Sequence, residues 1–268
     1  MRRGIFHYFH LVRVFIRVSI QKELAYRSNF LVGVLYSVLN FGTGMLGLIV
    51  IFSQVEDVRG WSFSSTLAVL GVYLLMGAVR DLFMGPSLDA LTGMDGEVWL
   101  GTFDFTLVRP VNTQFMASVR HWRPLVMLDV VLALGVLGYA MGQLGSSLSL
   151  LKLGTFLLTL LSGGFALYAI LLGFSGMVFI SPGFLFSWVF NGIFQMARYP
   201  VGLYPGVLRF VMTWIIPVGV ITTIPAKALT GDLSVEMLAA SLIFTGVLVV
   251  VASKLFRRGI RKYASASS

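Results

Sequence analysis

The 268-residue chain contains no cysteine, which excludes a disulfide framework, a thiolate nucleophile and a cysteine-held cluster. Histidine is nearly absent: His7, His10 and His121 are the three in the chain, too few and too scattered for a metal site. No GxxxxGK[ST] stretch occurs, so there is no Walker loop to cradle nucleotide phosphates. Charge is scarce as well. Lys, Arg, Asp and Glu make up 12% of the residues, against about 25% in soluble domains, and an ordinary soluble fold is excluded.

What is present is apolar and continuous. The chain is 57% hydrophobic, with a mean hydropathy of +0.89. Barrel strands would alternate polar and apolar over about 10 residues, whereas these runs are unbroken. The expected fold is an all-α integral membrane protein, one transmembrane domain over residues 1–268. The net charge of +9 is read as topology, Lys and Arg left on the cytoplasmic side. Nucleic acid as a partner would need that charge gathered on one folded face, and none is expected.

Residues 4–26 are periodic. At about 100° per residue, Arg3, His7, His10, Arg13, Arg17 and Gln21 fall on one side, with Ile5, Tyr8, Val12, Phe15 and Ile16 on the other. That pattern suits an amphipathic helix lying among lipid headgroups, or one packed on the rest of the protein. Arg13 and Arg17 interrupt any apolar run behind Arg2 and Arg3, so no cleavable leader is expected. Spans of roughly 20 residues are expected over 30–51, 62–79, 124–142, 153–178, 184–199 and 237–253, with Ser181-Pro182-Gly183 turning the chain between two of them. The run Phe210 to Ala226 is uncharged but interrupted by Pro217 and Pro225 and flanked by Arg209 and Lys227.

Both ends are basic, with six Lys/Arg in the first 28 residues and five from Lys254 to Lys262. Both termini are therefore expected in the cytoplasm, and the number of spans should be even. The segment 205–230 is accordingly read as a re-entrant hairpin on the outer side, giving six spans. Gly138 and Gly142 form a GxxxG pair suited to close helix contact.

Chemistry is hard to find. Gly173-Phe174-Ser175-Gly176 has the form of an intramembrane serine nucleophile, but no histidine lies in a span to act as its base. Asp129 is the one carboxylate inside an expected span, roughly 8 Å along the helix from Pro124. It is either paired with Arg123 or Arg80 or has a functional role. The loop from Arg80 to Arg123 holds five of the eleven acidic residues: Asp81, Asp89, Asp95, Glu97 and Asp104. Gly93, Gly96 and Gly101 punctuate it, and Pro110 closes it. Trp99 and Phe103 offer apolar knobs and Asp95, Glu97, Asp104 and Arg109 directional charge, a surface suited to a soluble partner's groove or to an ordinary membrane interface.

Two motifs carry a resemblance. Lys22-Glu23-Leu-Ala-Tyr26-Arg27-Ser-Asn29-Phe30 at the elbow, and Phe105-Thr-Leu107-Val-Arg109-Pro110-Val-Asn112 preceded by Gly101, resemble segments of the ABC-2 type permease family, the second in its branch with an LxRPxN loop ending. The order of features is similar too: elbow helix, six spans and outer re-entrant helices before the last span. The resemblance implies the membrane subunit of an ATP-binding cassette exporter in a bacterial cytoplasmic (inner) membrane. Two permeases, identical or paired with a relative, would form the pathway above two separate ATPase subunits, which would hold the ATP and Mg²⁺. The elbow junction (Glu23, Tyr26, Arg27) and a short helix around Asp95 to Phe103 would contact those ATPases. The chain itself is expected to bind no cofactor and to have no catalytic residue. An apolar or amphipathic substrate, cationic drug-like compounds included, is implied; lipids or glycans are the alternative, and a secondary transporter is a further one.

Overall fold

The computed structural model describes residues 5–25, 27–145, 149–182 and 186–263. Tyr26 of the expected elbow junction lies outside them. The chain runs through α1 (Ile5–Ala25), α2 (Arg27–Phe52), a hairpin of β1 (Asp57–Val58) and β2 (Trp61–Ser62), and α3 (Phe63–Val79). A π-helical turn (Arg80–Met84), α4 (Gly85–Asp89), α5 (Asp104–Leu107) and α6 (Thr113–Val119) form the loop region. Then follow α7 (Met127–Gln143), α8 (Leu150–Val178), α9 (Phe186–Met196), α10 (Gly206–Phe210), α11 (Val218–Ile221), α12 (Thr223–Thr230) and α13 (Val235–Lys262).

Local chemistry sets several of these boundaries. Ser62, Ser149 and Ser234 cap α3, α8 and α13, each side chain accepting a hydrogen bond from an otherwise orphaned N–H of the first turn. The β1–β2 turn has Arg59 and Gly60 at φ 52° and 81°, the conformation that matches the twist of a two-residue hairpin. The π-helical turn has its cause in Pro86. Without an N–H, proline cannot bond the carbonyl four residues back, and its ring crowds that carbonyl. The freed Leu82 carbonyl instead accepts from the Arg123 N–H at 2.8 Å.

α3 and α8 form the buried centre, while α2 and α13 are largely open on their outer faces. α8 and α13 cross at a glycine contact: a Cβ on Gly176 would lie 2.8 Å from Phe256 Cα, and Gly259 is packed on the Gly176 carbonyl. Ser162 Oγ donates to or shares its hydrogen bond with Thr245 Oγ1 at 3.0 Å along the same seam. Gly138 and Gly142, by contrast, face open space within this chain. In α7 it is Leu137 that fills the niche against Gly71 of α3.

Among the described residues, five helices are long and apolar enough to cross a membrane, or six if the bent pair Gly206–Ile215 and Val218–Thr230 counts as one span. The expected span 184–199 is helical over Phe186–Met196, 11 residues or roughly 16 Å, which is short of a crossing. The chain nevertheless passes from the loop end of the bundle, where α8 finishes, to the far end, where α13 begins. α9 makes the first part of that passage. Beyond it, Arg198 bonds to Asn40 and Thr43 in the middle of α2, and the Leu203 and Tyr204 carbonyls accept from Arg59 at the far end.

From there Gly206–Ile215 and Val218–Thr230 meet at a 68° bend. The bend at Pro217 dips back into the bundle, with Ile221 against Gly163 midway along α8. Thr222 Oγ1 donates to the Ala197 carbonyl and Thr223 Oγ1 accepts from the Val201 N–H, so the dip's backbone neighbours are covered by protein. The segment returns to the far end at Gly231, beside Lys152 in the first turn of α8.

Candidate functional site

The loop from Arg80 to Arg123 folds as a compact platform on the ends of α3, α7, α8 and α13. Its closure is a two-way clamp: Ser87 Oγ donates to the His121 carbonyl at 2.9 Å and accepts from the His121 N–H at 3.0 Å. Between these points the stretch around Asp95 to Phe103 forms successive turns, where the sequence suggested a short helix. Gly93 and Gly101 adopt φ of 79° and 73°, a left-handed conformation that ends helices. Gly96 is buried, and a Cβ there would collide with the backbone of Leu91 and Thr92.

Glu97 organises the interior. Its N–H donates to the Ala90 carbonyl, and its carboxylate pairs with the Arg120 guanidinium. Arg120 also donates to Thr106 Oγ1 at 2.9 Å and to His121 Nε2 at 3.1 Å. The imidazole nitrogen that accepts from Arg120 must carry a lone pair, so His121 is neutral. Burial first, then the charges of Arg120 and Lys22, push its pKa down to about 4.

An unfolded imidazole titrates near ~6.5. Between the two values the unfolded chain holds more protons, so stability rises with pH across that window. The His121 contribution is complete above about 6.5 and is lost as pH falls through about 4. Thermal unfolding of the purified chain is expected to show a lower Tm at about pH 5 than at about pH 7, and His121→Gln should flatten that slope. An unchanged slope in the variant would contradict the assignment.

Phe103 corrects the expectation of two apolar knobs. It is fully buried, packed 5.1 Å from the Phe179 ring at the end of α8 and 5.7 Å from Tyr263 at the end of α13. Burial, with Asp104 alongside, raises the Tyr263 pKa. The loop is pinned again at α6, where Gln114 Nε2 donates to Tyr168 Oη and Ser253 Oγ, both at 3.2 Å. Trp99 does face outward, together with Met94, Leu100, Phe105 and Val108, which sequence reasoning passed over. Asp95, Arg109 and Pro110 are exposed around them, and Asp104 is half-buried. Asn112, the last residue of the loop motif, caps α6 by accepting from the Phe115 N–H at 3.0 Å.

The elbow joins this platform. Glu23 Oε2 accepts from the Leu125 N–H, one of the orphan donors opening α7. Ser19 Oγ accepts from the Trp122 N–H, and Tyr8 meets Phe115 edge-on at 4.7 Å. α1 thus packs one stripe on the loop while Phe6, Phe9 and Leu24 remain exposed. Arg27 opens α2.

A family profile described as ABC-2 family transporter protein matches residues 38–267. The chain belongs to the ABC-2 family of transporters. It is a permease subunit of an ABC transporter, a multi-pass membrane protein whose family associates with ABC ATPase subunits. No curated protein and no solved structure matches it.

The permease has a second polar region, a cavity of about 660 Å³ between α2, α3, α7 and α9. Tyr36, Phe41, Tyr73, Trp188 and Phe194 supply aromatic walls, and Asn40, Arg80, Asp81, Asp129 and Asn191 polar ones. Asp129 forms no ion pair among the described residues, because Arg80 is turned to Asp81 at 3.3 Å and Asp89 at 3.8 Å. Arg198 closes one side, donating to Asn40 Oδ1 at 3.0 Å with its guanidinium 5.5 Å from the Tyr73 centroid. Arg80 Nε, Arg198 Nε and Asn191 Oδ1 are buried without a partner. Sequence reasoning missed Asp81, Asn40, Asn191 and Arg198 as intramembrane groups. The signal was there for Arg198, which ends a 45-residue uncharged run.

Proposed function

We propose that this permease drives export, with the Arg80–Arg123 platform as the coupling surface for its ATPases and the 660 Å³ cavity as part of the substrate path. The observation that carries this reading is mechanical. An exposed apolar patch around Trp99 sits on a module pinned to α8 and α13 through Phe103 and to α7 and α1 through Glu23. Displacing such a module moves several spans together. The platform and both termini would face the cytoplasm, with the hairpin of α10–α12 on the outer side and a second permease completing the pathway. The loop's Arg109-Pro110-Val-Asn112 ending supports membership of the LxRPxN branch.

The cavity chemistry supports an amphipathic substrate. Aromatic walls accept an apolar body, and Asp129 without a cationic partner favours a cationic head. Co-expression with a cognate ABC ATPase and reconstitution into proteoliposomes tests the proposal. ATP-dependent movement of an amphiphilic cation is expected, with Asp129→Asn raising KM about tenfold, the loss of roughly one charge contact. Movement by the permease alone without ATP, or failure of the ATPase to co-purify, would overturn it.

A further inference from the structure

The far end of the bundle contains a pocket that the transport reading leaves unused. It has a volume of about 340 Å³ and lies between α13 and the α10–α12 hairpin, with Trp61 of β2 at one side. That is the lower end of the ~300–1,000 Å³ range of small-molecule sites. Its floor is apolar, with Trp214 and Phe244 meeting edge-on at 5.9 Å.

The polar groups facing it are mostly donors. Lys227, half-buried in α12, forms no side-chain ion pair or hydrogen bond among the described residues. Arg209 donates from Nη2 to the Gly202 carbonyl at 2.5 Å, leaving its other N–H groups available. The Trp61 indole N–H lies in a side chain only 9% exposed and has no acceptor among the described residues. No carboxylate lines the pocket. Asp232 nearby is engaged by Thr230 Oγ1 at 2.6 Å, and Glu236 lies in the first turn of α13.

Two cations, exposed Arg209 and half-buried Lys227, and an indole N–H without an acceptor thus surround an apolar floor, with no carboxylate among the lining groups to neutralise them. An anion relieves all three. A free anion would leave the floor bare, and the apolar surface does not stop at the pocket's edge: Phe210 and Trp214 are 58% and 52% exposed beside it. We propose that the pocket binds the anionic headgroup of a membrane phospholipid. The phosphate sits among Lys227, Arg209 and the Trp61 indole, and an acyl chain lies along Trp214 and Phe244. The lipid ties the β1–β2 hairpin to the dipping hairpin at the end opposite the ATPase platform.

The test uses the purified full-length permease alone, so its outcome is independent of the coupling proposal. Native mass spectrometry of delipidated protein, titrated with phosphatidylglycerol or phosphatidylcholine of matched chains, is expected to show about tenfold tighter binding of the anionic lipid. The Lys227→Gln/Arg209→Gln double variant should lose that preference. Lys152→Gln, a cation at the same end that does not line the pocket, should keep it. Excess inorganic phosphate should leave the lipid bound. Equal binding of the two lipids, a preference that survives the double variant, or full displacement by phosphate would each overturn the proposal. If the double variant fails to fold, Lys227→Gln read against Lys227→Arg carries the same contrast.

Discussion

Replacing Arg120 with methionine is expected to destabilise the permease by on the order of 3–5 kcal/mol, the cost of stranding one member of a buried ion pair. The Glu97 side chain is 17% exposed and that of Arg120 21%, so water screens the pair only weakly. Glu97 Oε2 already lacks a partner, and the variant would leave Oε1 in the same state. Thr106 and His121 would lose the donors that now hold them. In thermal unfolding of the detergent-solubilised chain, this corresponds to a Tm lower by roughly 10 °C. Glu97→Leu added to Arg120→Met should restore most of the loss, because an apolar pair of similar volume does not carry the desolvation cost. A single variant that melts like the parent would show that the pair does not hold the platform.

The two aromatic residues of the platform should separate binding from folding. Trp99→Ala is expected to weaken ATPase association by about 2 kcal/mol, roughly 30-fold, with Tm unchanged, since Trp99 is 51% exposed. Phe103→Ala should do the reverse at the level of the isolated chain. It empties a site that is fully buried between Phe179 and Tyr263, and truncating a buried phenylalanine costs about 3–5 kcal/mol. The check is binding of purified ATPase to each variant, with Tm measured alongside. Wild-type affinity in Trp99→Ala would remove the exposed patch from the coupling surface. An unshifted Tm in Phe103→Ala would mean that the aromatic contact does not anchor the loop.

Sequence periodicity reached only as far as regular structure does. The long apolar runs were legible because a helix repeats, and its repeat is written into the order of residues. The platform has no repeat. Asp95 and Glu97 look alike in sequence, yet Asp95 is exposed while Glu97 turns inward to an arginine far along the chain. Trp99 and Phe103 were equally plausible as knobs, but only Phe103 lies under the ends of α8 and α13. The same holds for Asp129: Arg80, one of its two expected partners, is engaged by Asp81 and Asp89. At 184–199, hydropathy measured apolar length and could not register that α9 ends at Met196, with Arg198 then turned to Asn40 and Thr43 of α2.

Composition and residue order by themselves determined that this protein lives in a membrane, contains no Walker loop and gathers five of its eleven acidic residues in one loop. Those conclusions depend on how many residues of each kind are present and in what order, which transfer free energy converts directly into location. The tertiary structure decided which polar residues face one another: Glu97 with Arg120, Arg198 with Asn40, Lys227 and Arg209 around an unmet pocket. Electrostatic energy depends on separation in space and on burial, and neither is a property of position along the chain.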